Sequence, residues 1–322
     1  MKSRSFKRYF ILLYPFLMLL VLASLALISG ISFSEITAAA AKPFISSFYR
    51  LAFLKELIIL SMLSLAMMLS LSMGEMNFSL EGVFHTGIFL FAIAAIYLKN
   101  FLLLSIFIIA IIIYITWQVP HKISRGDRSK LIISSLIFNY VILGVINYLV
   151  YTFFSDEKIS SAVTKSFDFS LSLFWGYVIS MFTAVLFIYL VKKFKIIDKL
   201  KIIKDAPLII KSMGGDIKKE RSGINALISL LTTVAAFLYL FLNYNRFSLQ
   251  GFTGYGFDAI TVAILARSDF KKVLLPSILI TYIRLFTLIM QTEFSFISSI
   301  MYLMQGLLIF ISILEANHDR SI

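Results

Sequence analysis

Residues 101–119 read FLLLSIFIIAIIIYITWQV, a run of 19 residues without one charged side chain. A helix of that length rises about 28 Å, close to the roughly 30 Å of hydrocarbon in a bilayer. The rest of the chain has the same character, because 60% of its 322 residues are hydrophobic, 15% are charged and the mean hydropathy is +0.92. A soluble domain is about 45–50% apolar and about 25% charged. The composition therefore excludes a soluble domain and predicts an all-α polytopic membrane protein.

Apolar segments of similar length recur along the chain and predict about ten transmembrane helices in a single transmembrane domain, residues 1–322. They fall into two halves of five, residues 1–154 and 169–314. Because five is odd, the second half enters the membrane in the opposite orientation, and the pattern predicts an inverted 5+5 repeat. The predicted spans are residues 9–32, 57–73, 82–98, 101–119, 131–154, 169–191, 223–242, 247–266, 273–290 and 294–314.

The distribution of basic residues predicts how the chain is oriented. With the N-terminus inside, the cytoplasmic segments hold 22 Lys and Arg and the external segments hold 7. Lys and Arg accumulate in cytoplasmic loops, so both termini are predicted to be cytoplasmic. Membrane orientation therefore explains the net charge of +13 better than a nucleic-acid partner does.

The first span has an alternative interpretation as a cleaved signal peptide. Four basic residues precede its apolar run, and alanines follow it at positions 38–41. The apolar core of a signal peptide is about 7–15 residues long, shorter than residues 9–32, which favours a retained helix.

Side-chain chemistry narrows the possible function classes. The chain has no Cys and only three scattered His, which excludes disulfide frameworks, thiolate chemistry and a His cluster for a metal. No Gly is followed by Lys, so a Walker A loop is absent and any ATP-driven step needs a separate subunit. Neither GxSxG nor HExxH occurs. Residues 254–259 match the dinucleotide pattern GxGxxG/A only formally, because its strand context and its acidic residue about 20 positions on are missing. A carrier, a channel or an unusual membrane enzyme remains.

Two stretches interrupt the apolar text with glycines and carboxylates. They are residues 74–82, GEMNFSLEG, and residues 251–259, GFTGYGFDA. Each lies at the junction of the second and third predicted helices of its half. Paired interruptions at corresponding positions of inverted halves are typical of a transport site, because broken helices are tolerated where they line a cavity.

Three ionisable residues lie in or near predicted spans. A charge at the centre of a membrane helix costs about 2.5–3.5 kcal/mol on the insertion scale, so Glu81 and Asp258 are expected to face protein or water. Alternatively both carboxylates, and Asn77, lie in hydrated interfacial turns. Arg284 is expected to pair with Asp258, or else to extend its side chain to the membrane surface.

The longest polar stretch is the basic loop at residues 192–222. Within it Phe194, Ile197, Leu200 and Ile203 recur every three residues and predict an amphipathic helix, which Pro207 and the Gly214-Gly215 pair then end. One interpretation is an interfacial helix bound to anionic lipid. The other is a docking element for a cytoplasmic partner.

Two motifs resemble those of a known family. Residues 77–82, NFSLEG, resemble the Asn-Ile-Gly-Val-Glu-Gly segment of permease subunits of ATP-binding-cassette (ABC) importers for nucleosides and simple sugars, within the branched-chain amino acid and ribose-type permease superfamily. Residues 254–267, GYGFDAITVAILAR, resemble that family's GYGFDGIAVALLGR run. Residues 137–140, 283–285 and 290–291 are similar to further segments of the family. The likeness extends from Asn77 to the C-terminus.

The resemblance implies a multi-pass permease in the cell membrane that pairs with a second permease and docks on a cytoplasmic ABC ATPase. An external, often lipid-anchored, binding protein would deliver the cargo. ATP and Mg would bind the ATPase, and this chain would hold no cofactor of its own. The resemblance and the interruptions together predict a substrate path at Asn77, Phe78, Glu81, Gly254, Tyr255, Gly256, Phe257, Asp258 and Arg284. The segment most similar to the family's coupling region predicts contact with the ATPase at Lys199, Ala206, Pro207, Gly214, Gly215 and Asp216.

Three functions fit the residues. The preferred one is a permease that moves a nucleoside or sugar, with hydrogen bonds from the carboxylates and stacking on the aromatic rings. The aromatic residues have an alternative role in plain packing. The second function is an ion-coupled secondary transporter that uses Glu81 or Asp258 as its ion site. The third is an intramembrane enzyme, which only generic carboxylates support.

Overall fold

The computed structural model describes residues 32–156, 163–205, 216–248, 251–266 and 269–294. Within these ranges the chain forms ten α-helices and no strand, apart from an isolated bridge between Ser155 and Thr164. The prediction of an all-α protein is confirmed. The helices are α1 (Phe33–Ile45), α2 (Ser47–Ser72), α3 (Leu80–Tyr97), α4 (Leu102–Ser124), α5 (Arg128–Leu149, continued by a π-helical turn at Val150–Phe154), α6 (Leu173–Lys193), α7 (Ile196–Asp205), α8 (Ile217–Asn243), α9 (Tyr255–Leu265) and α10 (Leu274–Phe294).

Seven of these helices, α2 to α6, α8 and α10, are long and apolar enough to cross a membrane. Each of them contains most of one predicted span. The spans predicted at residues 9–32 and 294–314 lie outside the described residues, apart from one terminal residue of each. The structure thus describes a multi-pass membrane protein, whereas the inverted repeat and the cytoplasmic termini remain predictions.

The prediction of a full span at residues 247–266 is wrong. The helix in that region, α9, has only 11 residues, Tyr255–Leu265, which reach about 16 Å, half of a bilayer. Residues 251–254 are not helical, and Gly254 has φ = 82° at the start of the helix. Hydropathy counts apolar side chains and does not detect the backbone turn that a glycine at positive φ permits.

The chain divides into two compact units, one of residues 1–54 and 278–322 and one of residues 55–277. In the first unit, α1 was not predicted, and its N-terminus is closed by a capping box of Ser32 and Glu35. Its buried face, with Ile36 and Ala39, packs on four buried residues of α10. Lys42 of α1 forms an ion pair with Glu293 of α10. These contacts hold α1 against α10.

In the second unit, α3 and α8 form the centre. In each of these helices 72% of an 18-residue apolar stretch is buried inside the protein. In α4, α5 and α6 the corresponding share is 28% or less. Helices α4, α5 and α9 pack on α3, and α4, α6 and α7 pack on α8. Because α3 and α8 are shielded by other helices, polar groups on them can be solvated by protein.

The basic loop forms the predicted amphipathic helix, α7. Ile196, Leu200 and Ile203 are buried, whereas Phe194 and Ile197 are exposed by 50% and 44%. The buried residues follow the i, i+4, i+7 spacing of a 3.6-residue period, which places them on one face of the helix. The helix prediction is confirmed.

Candidate functional site

Both predicted interruptions are real breaks between helices. The first, the junction at residues 73–79 between α2 and α3, is fixed by Asn77, whose side chain is fully buried. Its Oδ1 accepts hydrogen bonds from the backbone N–H and the hydroxyl of Ser79, at 3.0 and 2.7 Å. Its Nδ2 lies 3.1 Å from His121 Nε2 on α4. Asn77 therefore shapes this junction and holds it against α4.

A second buried amide, Asn139 on α5, closes the other side of the junction. Its Nδ2 donates to the Phe78 carbonyl at 2.8 Å, and its Oδ1 accepts from the Gly82 N–H at 2.9 Å. Both are backbone groups at the start of α3, where a helix leaves N–H groups without internal partners. Asn139 belongs to residues 137–140, which the sequence connected only to the family resemblance. Its role was missed because hydrogen bonding across 57 positions leaves no local pattern.

Replacing Asn139 with leucine is expected to lower the free energy of unfolding by about 2–3 kcal/mol, because two buried backbone groups lose their partner. Leucine keeps the branched shape of asparagine but is larger, so overpacking adds to the loss of hydrogen bonds. Thermal unfolding of the purified protein in detergent checks this prediction. Asn139→Ala, which removes the same hydrogen bonds without adding volume, is the comparison variant, and an unchanged unfolding temperature for Asn139→Ala would contradict it.

Glu81, at the start of α3, joins the two interruptions. Its side chain is fully buried. Oε1 accepts from the Thr253 hydroxyl at 2.7 Å and from the Gly254 N–H at 2.8 Å, and Oε2 accepts from the Gly256 N–H at 2.5 Å. These donors surround the first turn of α9, where the helix dipole favours a negative charge. One carboxylate thus anchors the half-length helix to α3.

Gly256 makes this contact possible because its backbone lies directly on that of Glu81. A Cβ added at Gly256 would lie 2.5 Å from the Glu81 backbone nitrogen and 2.6 Å from its Cα. No side chain larger than hydrogen fits there unless the two backbones move apart. The glycines of this motif thus serve helix-to-helix packing around a buried carboxylate.

Aromatic rings surround this contact. The Tyr255 ring lies 5.9 Å from Phe84 of α3 and 5.3 Å from Tyr239 of α8, both in edge-to-face geometry. Two residues further on, Phe257 contacts Phe252, at 6.1 Å between ring centroids. Tyr255 is buried and Phe257 is half-buried. The Tyr255 ring therefore packs in the core, and the Phe257 ring retains accessible surface.

The other predicted path residues are distributed as follows. Asp258 is buried on α9, and Phe78 is half-buried in the first junction. Arg284 is half-buried on α10, in the unit that does not contain Asp258. The pairing of Arg284 with Asp258 remains a prediction. The structure thus brings together Glu81, Gly254, Tyr255 and Gly256.

Of the predicted coupling residues, two lie in described segments. Lys199 on α7 forms an ion pair of 2.7 Å with Glu220 on α8, and Asp216 caps α8 by accepting from the Lys218 N–H at 2.8 Å. Ala206, Pro207, Gly214 and Gly215 lie outside the described residues. The described parts of the loop are therefore α7 and the start of α8, and these two helices pack against each other.

A charged cluster centred on Glu75 was not predicted as functional. Arg221 Nη1 on α8 lies 3.1 Å from Glu75 Oε1, and His121 Nε2 lies 3.7 Å from Oε2. Burial raises the pKa of the Glu75 carboxyl, and the charges of Arg221 and Arg128 partly oppose this rise. A cleft of ≈ 410 Å³ opens beside the cluster between α4 and α8.

A multi-pass bundle whose half-length helix begins inside the protein against a second broken segment has the architecture of a membrane transport protein. A family model described as "Branched-chain amino acid transport system / permease component" matches residues 49–313. The chain therefore belongs to this family and is a permease component of an ABC importer, a transport component that associates with an ATPase and the bilayer. A comparison with curated proteins gave no match.

Proposed function

We propose that this permease carries a nucleoside or simple sugar across the cytoplasmic membrane, driven by ATP hydrolysis on a separate subunit. A second permease would complete the path, and an external binding protein would deliver the cargo. The resemblance of residues 77–82 and 254–267 to nucleoside and sugar permeases supports this cargo class. The family description names branched-chain amino acids, so these are the competing cargo in the test below.

The observation that carries the proposal is the contact of the two interruptions at Glu81. Its carboxylate is buried and accepts three hydrogen bonds from residues 253–256. Helix α9 is about half a bilayer long, so its N-terminus lies at membrane depth. Such an end can bind polar cargo and can shift as a unit when the permease alternates between outward-facing and inward-facing states.

The contacts among the loops agree with the predicted division of the loops between the two sides of the membrane. Lys99 pairs with Asp168 at 3.2 Å, and Phe167 N–H donates to the Asn245 carbonyl at 2.9 Å; all four residues belong to predicted external segments. Glu75 and Arg221, which pair as described above, belong to segments predicted to be cytoplasmic. Each of these pairs joins segments of one predicted side.

The test is uptake by proteoliposomes that contain the complex purified from its native membrane. Radiolabelled nucleosides, simple sugars and branched-chain amino acids are compared, with and without ATP inside. ATP-dependent uptake of a nucleoside or sugar is expected. Uptake of branched-chain amino acids instead would refute the cargo class. Uptake that follows an ion gradient without ATP would support the secondary transporter. Deleting residues 199–216 is expected to release the ATPase from the purified complex.

Asp258→Asn is expected to reduce uptake at least about tenfold without changing membrane abundance. The Asp258 side chain is 1% exposed and lies on the first turn of α9. A negative charge is stabilised near the N-terminus of a helix, and a carboxylate there can accept hydrogen bonds from cargo hydroxyls. The substitution keeps the size of the side chain and removes its charge. Quantitative blotting of the membranes is the control, and normal uptake would remove Asp258 from the mechanism.

A further inference from the structure

Glu75 lies where four helices that are separate in sequence come together. Besides Arg221 of α8 and His121 of α4, the position beside it is close to α5 and α7. A Cβ built on Gly74 would lie 3.3 Å from Lys204 Cγ and 3.5 Å from Arg128 Nη2. The charged and titratable groups near this position are Arg221, His121, Arg128 and Lys204, and Lys122 and Lys218 line the cleft beside it.

Glu75 is an ionisable residue in a buried position. The side chain is 9% exposed, and burial raises the pKa of its carboxyl although Arg221 and Arg128 lower it. Burying a carboxylate is costly even beside an opposite charge, and an uncharged residue of similar size is often as stable in such a position. The contacts of Glu75 with His121 of α4 and Arg221 of α8 point to a role in linking these helices.

We propose that Glu75 is a positioning residue for transport that transmits movement of the α7–α8 segment to the membrane junction. This inference rests on the proposed function, in which ATP hydrolysis on a separate subunit drives transport and residues 199–216 hold that subunit. Arg221, four residues after the α8 N-terminus, passes that movement to Glu75 through the contact of 3.1 Å.

The contacts of the junction connect Glu75 to Glu81 in the proposed substrate path. Glu75 is six positions before Glu81, and Asn77 lies between them with both its amide atoms hydrogen-bonded. His121 lies close to both Glu75 and Asn77, which links the junction to the end of α4. Movement at Arg221 is therefore carried along residues 75–81 to the carboxylate that holds α9.

The test separates ATP hydrolysis from uptake in the reconstituted complex. Glu75→Gln and Arg221→Gln are each expected to retain most ATP hydrolysis and to lose at least about tenfold in uptake, the size of a typical coupling free energy. The double variant Glu75→Arg with Arg221→Glu is expected to recover part of the uptake. Lys99→Gln, which breaks an exposed ion pair with Asp168, is the matched control and is expected to transport normally.

The outcomes distinguish the two proposals. If the unmodified complex shows no ATP-dependent uptake, the proposed function and this inference both fail. If the unmodified complex couples and Glu75→Gln transports with an unchanged ratio of uptake to ATP hydrolysis, only this inference is overturned. A parallel loss of uptake and hydrolysis in Glu75→Gln would also overturn it.

Thermal unfolding separates the proposed role of Glu75 from a purely structural one, because the two roles predict opposite changes in the stability of Glu75→Gln. The pKa of Glu75 is raised in the folded state, so the stability it contributes is greatest below its unfolded pKa and is lost as pH rises through the folded pKa. Glu75→Gln removes this loss. Its unfolding temperature at pH 7.5 is expected to equal or exceed that of the unmodified protein, and a clear decrease would assign Glu75 to stability and overturn the proposal.

Labelling reports the movement itself. The chain has no native Cys, so a single Cys at Met76, which is 50% exposed in the junction, is the only thiol of this chain, and its labelling by a water-soluble maleimide is read on the separated permease band. Trapping the ATPase with ATP and vanadate is expected to change the labelling rate of Met76→Cys. In the background of Glu75→Gln this change is expected to disappear, and a change of equal size in both backgrounds would contradict transmission through Glu75.

Discussion

Gly256→Ala is expected to abolish transport and to prevent recovery of the folded protein in detergent. The added Cβ would lie 2.5 and 2.6 Å from two backbone atoms of Glu81, which cannot turn aside as a flexible side chain can. Overpacking costs about 1–3 kcal/mol and occasionally more, and the loss of a Glu81 hydrogen bond adds to it. Size-exclusion chromatography of a fluorescent fusion measures the folded yield, and uptake is measured on whatever folds.

Gly144→Ala is the matched control for this prediction. Gly144 lies within α5, and a Cβ there would meet nothing within 4 Å. Alanine is favoured over glycine inside a helix by about 1 kcal/mol, so this variant is expected to fold and transport at least as well as the unmodified protein. Equal behaviour of the two alanine variants would show that α3 and α9 do not approach as closely as described.

The membrane helices could be predicted from the sequence because a long run of apolar residues is enough to identify them. A helix such as α4, Leu102–Ser124, consists of apolar residues long enough to cross the bilayer, whatever surrounds it. The two interruptions were also predictable, since glycines and carboxylates break that pattern at residues 74–82 and 251–259. That the two interruptions lie side by side was predicted only by analogy with inverted repeats.

The failures have a different physical origin. Helix α9 was predicted too long because hydropathy does not register a backbone turn at Gly254, with φ = 82°. The roles of Asn139, Thr253 and Glu75 were missed because each depends on contact with a residue more than 50 positions away. Periodicity describes neighbours along one helix and holds no information on such contacts.

Three buried polar residues of the second unit, Asn77, Asn139 and Glu81, form one connected arrangement. Asn77 and Asn139 fix the start of α3, which fixes the Glu81 carboxylate, which in turn fixes the start of α9. Each amide or carboxylate satisfies backbone groups that a broken helix leaves without partners. The cost of interrupting two helices is therefore offset locally, and the interruptions can persist inside an apolar bundle.

Glu81→Gln is expected to lower the free energy of unfolding by about 3 kcal/mol and to reduce uptake at least about tenfold, because the amide cannot accept all the hydrogen bonds that the carboxylate accepts. Oε1 accepts from Thr253 and Gly254 and Oε2 accepts from Gly256. In either orientation of the glutamine amide, its NH₂ group faces at least one N–H donor. The substitution also removes the negative charge from the N-terminus of α9. Thermal unfolding in detergent and ATP-driven uptake are the measurements.

Thr253→Val is the graded control for Glu81→Gln. It keeps the carboxylate and both backbone hydrogen bonds and removes only the 2.7 Å bond from the Thr253 hydroxyl. The expected destabilisation is about 1 kcal/mol, with much of the uptake retained. If Glu81 is instead needed only as a charge in the path, Glu81→Gln would lose uptake while its unfolding temperature stayed unchanged, and Thr253→Val would have no effect on either measurement. A decrease in stability that grows from Thr253→Val to Glu81→Gln therefore identifies the carboxylate as the anchor of α9, because each lost acceptor frees one more donor at the start of that helix.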